Sequence, residues 1–183
     1  MLEELLTIPE SISKEEMQGI FANIADQLFN RYEIVKGNKI YDFLEIEFYY
    51  YSKNHPDNVV YHHNVKLGRW HTHLSGMDIS LYQHDLAYGG ILIRSIIDEE
   101  GNVINGPLSS LFCLFNDIDV YGNSENLPII CLKAKKKNIK LASTSRYHIM
   151  SGEFEKKDYR FFNPSSLIKW KSGYAAKPHV QSK

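Results

Sequence analysis

The sequence predicts an α+β fold: a single domain with a curved mixed or antiparallel sheet and a few helices. Three observations predict it. An amphipathic helical period stands near the N-terminus, a succession of strand-like runs separated by turn signals follows, and the length of 183 residues suits one hydrophobic core. The 43% hydrophobic and 23% charged content is ordinary for a globular chain, and 12 Tyr and 9 Phe make it rich in aromatics. The predicted organisation is one domain over 1–183, with an N-terminal helix at about 13–30, a core at about 32–163 and a basic tail at about 164–183.

Ser13 and Glu16 have capping-box spacing, and Met17, Ile20, Phe21, Ile24 and Leu28 then recur at helical spacing to about Asn30. From Tyr32 the pattern changes to YEIV, a Gly37-Asn38 turn signal and KIYDFLEIEFYYY, a hairpin feeding a long strand. Alternation puts Glu45, Glu47 and Tyr49 on one face of that strand and Leu44, Ile46 and Phe48 on the other. The polar stretch from Ser52 to Asn64, with Pro56, reads as a long loop. A strand from Trp70 to Leu74 follows, then Gly76, a turn near Ala87 to Gly90, and the buried strand GILIRSII carrying Arg94. Gly106-Pro107 opens LSSLFCLFN as a short helix. PIICLKA, YHIM and YRFF are the remaining strand candidates.

Composition excludes several classes. The only cysteines, Cys113 and Cys131, lie in apolar runs where a free thiol acts as a small hydrophobe, which favours a reducing compartment. MLEELLTIPE lacks the basic start and apolar core of a signal peptide, and no apolar run reaches membrane-spanning length, so a cytoplasmic location away from membranes is expected. The chain has no P-loop, dinucleotide-binding glycine fingerprint, CxxC pair or GxSxG elbow. The formal net charge of −1 conceals an asymmetry: residues 133–183 hold 13 of the 21 Lys and Arg against three acids, Glu153, Glu155 and Asp158. Such a basic end either faces a polyanion or pairs with the acidic remainder.

Two constellations carry chemistry. A charge inside an apolar strand requires a partner or a water-filled site, so Glu45 or Glu47 on one strand and Arg94 on another can hold a water between them, the carboxylate acting as general base. The same residues equally form a plain buried ion pair. The second constellation is His55, His62, His63, His71, His73 and His84 beside Tyr49, Tyr50, Tyr51, Tyr61 and Trp70. His71 and His73 share a strand face, half of a zinc site, but no third ligand with recognised spacing accompanies them; no metal and no cofactor are expected. Aromatic faces of this kind stack nucleobases or pack in a core.

In order, FLEIEFY, Pro56-Asp57, Gly76-Met77, ILIRS, Gly106-Pro107, SRYHI and YRFF resemble the motifs of the methylpurine-DNA glycosylases, also called 3-methyladenine DNA glycosylases of the alkyladenine type. The resemblance runs from about residue 32 to 163 and implies that family's fold and its hydrolysis of the N-glycosidic bond of damaged purines in DNA repair by base excision. It implies Glu47 as the base that activates water, Arg94 as the residue that positions it, and Tyr49 and His62 against the flipped base. Thr72, His73 and Tyr147 are expected with them in substrate binding. Lys66 and Arg69, where the family has a backbone-gripping loop, and Lys135, Lys136 and Lys137 are expected to contact nucleic acid. The implied partner is DNA, and a monomer is expected. Where the family has a bulky tyrosine that wedges into the duplex, this chain has Ser75, the asparagine that rejects guanine falls near Tyr82, and Ser110 stands where a leucine is due. These departures leave a second expectation, a catalytically altered member that binds a nucleobase, nucleic acid or another ligand.

Overall fold

Hydrophobic period decides the first elements. The structure is a computed structural model that describes residues 2–118, 121, 126–147, 149 and 152–165. Helix α1 (Leu2–Leu6) is a short element that the sequence did not suggest, and α2 (Met17–Arg31) occupies the predicted amphipathic stretch. The face formed by Met17, Phe21, Ile24, Ala25, Leu28 and Phe29 is buried, as a 3.6-residue period requires. The Ser13–Glu16 box forms, with the Ser13 amide and hydroxyl donating to Glu16 Oε2 at 3.0 and 2.8 Å. It forms in the turn ahead of the helix, which begins at Met17 rather than near residue 13.

Ten strands follow among the described residues: β1 (Tyr32–Lys36), β2 (Lys39–Ser52), β3 (His55–Pro56), β4 (Trp70–His73), β5 (Gly76–Ser80), β6 (Ala87–Asp98), β7 (Val103–Asn105), β8 (Ile129–Leu132), β9 (Ala142–Thr144) and β10 (Arg160–Phe162). Helix α3 (Pro107–Phe115) lies between β7 and β8, with Pro107 in its first turn where no amide is needed. Among the described residues every pairing is antiparallel, so the sheet they form is not mixed. The path β4-β5-β6-β2-β1-β8 makes a curled sheet centred on β2. One edge of β2 is taken by β6, and the other is shared in turn by β1, β10 and β3.

Alternation along β2 sorts the molecule into two sides. Ile46, Phe48 and Tyr50 join Ile91 and Ile93 of β6 in the core with α2, where the Phe21 ring stacks on Phe48 at 4.4 Å and Phe161 meets it edge-on at 5.6 Å. Burying each such ring contributes roughly 1.5–3 kcal/mol. Glu45, Glu47 and Tyr49 face the other way. Register then slips twice: Phe43 opposes Ile96, Glu45 opposes Ser95 and Ile46 opposes Ile93, leaving Leu44 and Arg94 unopposed. These paired bulges turn Arg94 and Ser95 together towards Glu45.

Several expectations are corrected here. Ala87 to Gly90 is no turn but the start of β6, paired with β2 from Ser52 to Tyr49. YHIM is not a strand: Tyr147 and Ile149 lie outside the strands, and His148 and Met150 fall outside the described residues. The strand that pairs with β10 there is β9. Residues 166–183, almost all of the basic tail, also lie outside the described residues. No helix among the described residues is long and apolar enough to cross a membrane.

Candidate functional site

Four charges meet on the non-core face of β2. Arg94 donates from Nε to Glu45 Oε1 at 3.0 Å and from Nη1 to Glu47 Oε2 at 3.2 Å. Arg160, directly opposite Glu47 on β10, also donates from Nε to Glu45 Oε1 and lies 3.9 Å from Glu47 Oε1. Ser95 Oγ donates to Glu45 Oε2 at 3.2 Å. Two carboxylates and two guanidiniums thus balance in a buried cluster, the condition under which such charges are tolerated. Burial works against the Arg94 charge, but the Glu47 and Glu45 carboxylates outweigh it and hold the guanidinium protonated above its ordinary range.

Glu47 has no exposed surface. Its Oε1 accepts the Tyr147 amide at 2.7 Å and its Oε2 accepts the Tyr49 hydroxyl at 2.9 Å, in addition to Arg94. Burial first, and the neighbouring Glu47 charge second, push the Tyr49 phenol far above its usual range, so it stays a donor. Arg94 lies 4.9 Å from the centroid of the Tyr147 ring, and Arg146 lies 4.7 Å from that of Tyr49. Arg146 is in turn fixed by Asp57 at 2.6 Å and the Phe48 carbonyl at 3.3 Å.

The three groups that hold Glu47, namely Tyr49, Arg94 and Tyr147, also line a cavity of about 360 Å³. Tyr61 and His63 add aromatic wall, Leu92 and Pro107 apolar wall, and Gly89 and Gly90 the floor. His73 and Asp78 line it as well. Asp78 on β5 stands beside Leu92 on β6, which stands beside Glu47 on β2, so the two carboxylates occupy one cross-strand row. At the spacing of neighbouring strands their backbones are about 10 Å apart. His73 Nε2 comes within 3.1 Å of Asp78 Oδ1, and the His63 and His71 rings lie 4.0 Å apart.

The expected site residues separate into those that meet and those that do not. Tyr49, Arg94, His73 and Tyr147 meet at the cavity with Glu47 directly behind them. His62 does not line it: its exposed ring packs edge-on against Tyr88 at 4.7 Å, and the next residue, His63, faces the cavity instead. Thr72 is exposed, because alternation on β4 sends it to the side opposite His71 and His73. Lys66 and Arg69 are exposed in the segment before β4. Lys135, Lys136 and Lys137 are exposed as well, Lys137 pairing with Asp42 of β2. Tyr82 spends its hydroxyl on Asp85 at 2.9 Å, and Ser75 lies at the cavity rim. Sequence reasoning missed Asp78 and Arg160, and from the histidine cluster it took His62 rather than His63 as the residue at the site. An acid in the middle of the five buried residues GMDIS was the available signal for Asp78. Among the described residues no group of three or more His, Cys, Asp or Glu is arranged to hold a metal ion.

Comparison with known proteins adds one relative. A protein of Acanthamoeba polyphaga mimivirus described as "Uncharacterized protein L759" is 31% identical, over 60% of this chain and 65% of its own length. The chain therefore spans somewhat less than two thirds of that relative. No family model and no solved structure matches.

Proposed function

We propose that this chain hydrolyses the N-glycosidic bond of a modified purine nucleotide, with DNA as the substrate and Glu47 as the base that activates water. One observation carries the reading: a buried carboxylate held by an arginine stands directly behind residues that line a largely aromatic cavity. A planar base suits walls made of Tyr49, Tyr61, His63 and Tyr147. For the reaction, the Tyr49 hydroxyl or the Tyr147 amide yields its place on Glu47 to a water. Glu47 takes one proton from that water while its oxygen attacks C1′. The bond from C1′ to the base nitrogen breaks, its electron pair stays on the base, and a proton from solvent or an existing positive charge neutralises it. Arg94 orients water and carboxylate together, and the motif likeness to methylpurine-DNA glycosylases supports the same assignment.

A second reading is favoured by a specific observation. Both Glu47 oxygens are already occupied by Tyr147, Tyr49 and Arg94, as in a structural strut, and Ser75 cannot fill the space a base leaves in a duplex. On that reading the cavity binds a nucleobase without cleaving anything. Glu47→Gln separates the two, since it keeps the shape and removes the proton acceptor. Release of free base from DNA containing hypoxanthine or 3-methyladenine should fall by roughly 100-fold or more in Glu47→Gln. The fall should be much smaller in Glu45→Gln, whose side chain touches Arg94, Arg160 and Ser95 but does not line the cavity. Equal rates for wild type and Glu47→Gln refute the base assignment, and no release by wild type favours the binding protein.

A further inference from the structure

The part of the cavity lining that comes from the segment between β3 and β4 hangs on one side chain. Val59, Val60, Tyr61 and His63 of that segment line the cavity. Among the described residues, the hydrogen bond between His63 Nε2 and the Gly89 carbonyl of β6, at 3.0 Å, is the one that ties residues 58–64 to another element. The other ring nitrogen, Nδ1, accepts the Val65 amide at 3.2 Å. A carbonyl only accepts and an amide only donates, so the imidazole is neutral with its proton on Nε2. On either side the chain is pinned without it, Asp57 by Arg146 at 2.6 Å and the Val65 carbonyl by the Ser80 hydroxyl at 2.6 Å.

We propose that His63 is a proton-operated latch: neutral, it hooks this segment onto β6, and a second proton on Nδ1 unhooks it and lets residues 59–64 swing away from the cavity. Once protonated, Nδ1 no longer accepts the Val65 amide, and two N–H groups face each other. The charge also arrives among other charges. Facing it are His62 from its own segment, His71 and His73 on β4, Asp78 on β5, Tyr82 beyond that strand, and Arg94 on the cavity lining. Asp78 favours the proton, yet it lies within ion-pairing reach of His71 and His73 rather than of His63. Burial, followed by the His62 and His73 charges, outweighs both Asp78 and the Gly89 carbonyl and holds His63 below the ordinary histidine value. His71, whose ring lies 4.0 Å away, is held low as well, by burial first and then by His63. The latch is therefore closed at neutral pH and opens as pH falls below the unperturbed histidine value of about 6.5. His63 is only half-buried, so protons from solvent reach it. The device goes beyond the hydrolase reading, because it works whatever the cavity holds.

NMR of the free protein at pH 7 and pH 5 tests this without a ligand or turnover. After correction for the intrinsic pH dependence of exchange, protection of the Val65 amide should fall about 10-fold at pH 5, in step with the titration of the His63 ring. The contact between the Tyr61 and His73 rings, 5.4 Å apart in the closed state, should weaken over the same range, while the Phe21 amide in α2 keeps its protection. His63→Gln puts a donor that does not titrate in place of the ring, and His63→Phe removes the hook. Val65 protection should be independent of pH in both, and in His63→Phe it should already be low at pH 7. Unchanged Val65 protection in wild type while His63 titrates, a His63 ring that stays neutral at pH 5, or a Tyr61–His73 contact that persists after Val65 is freed would overturn the latch. So would a pH dependence that survives in His63→Gln, or a loss of protection shared equally by Phe21, which would be acid unfolding of the whole domain.

Discussion

His55 has no exposed surface and is held at both ring nitrogens, Nδ1 2.8 Å from the Tyr50 carbonyl and Nε2 2.8 Å from the Tyr159 hydroxyl. That pattern fixes it as the neutral tautomer with the proton on Nδ1. Burial pushes its pKa below the ordinary histidine value, against the nearby Asp57 charge. Burial does the same for His63 and for His71, where the adjacent His63 ring further opposes a positive charge. A histidine with a depressed folded pKa binds fewer protons in the native state than in the unfolded one. Stability therefore rises with pH through that window and is lost as pH falls below the unfolded value near 6.5. The melting temperature should fall between pH 7 and pH 5, and fall less steeply in His63→Gln than in wild type. An identical slope would show that His63 titrates alike in folded and unfolded chains. At this scale the sequence was informative where backbone period alone decides a direction, as for Glu45, Glu47 and Tyr49. It was silent on His63 against His62, because loop residues carry no period, and on Asp78, whose role depends on a neighbour two strands away.

Strands β2 and β6 both supply residues to the site, and Gly89 of β6 lies against the backbone of β2. A Cβ at Gly89 would stand 2.1 Å from the Tyr49 carbonyl oxygen and 2.7 Å from Tyr50 Cα, both backbone atoms with little freedom to retreat. Gly89→Ala must push the two strands apart where Tyr49 reaches Glu47. Urea unfolding should show a loss of about 1–3 kcal/mol, the usual cost of overfilling a packed site, with ligand binding weakened beyond what the stability change explains. A variant as stable as wild type would mean that the strand pair is slack there. Paired glycines and an aromatic neighbourhood look like a turn when read along the chain, which is why Ala87 to Gly90 reads as one in the sequence. Their purpose becomes visible only with Tyr49 opposite Gly90 in register. The bulges at Leu44 and Arg94 were equally hidden, since no residue type marks them, whereas α2 and the long β2 were legible from their periods.

Charge is organised at the scale of the whole chain, and the structure shows part of the basic end consumed internally. Lys133 is buried at its tip, bonded to the Phe29 carbonyl at 2.9 Å and paired with Asp42 at 2.8 Å, and burial lowers its pKa despite that carboxylate. Lys137 pairs with the same Asp42, and Lys14 with Glu153. Lys135 and Lys136 are exposed between the two lysines that grip Asp42. Asp42 precedes Glu47 by five positions on an extended strand, roughly 17 Å. A nucleic acid strand with one base in the cavity can thus lay backbone a few nucleotides away along this run, at about 3.4 Å per nucleotide. Lys135→Gln with Lys136→Gln should lower affinity for an oligonucleotide and flatten the fall of log affinity with log salt, by about 0.7 to 0.9 in slope for each phosphate that is no longer neutralised. Lys137→Gln should change the slope less, because its charge is already partly neutralised by Asp42, but it should cost some stability. If the double variant leaves both affinity and slope unchanged, the lysine run is a solvated surface and the nucleic acid must approach the cavity from another side.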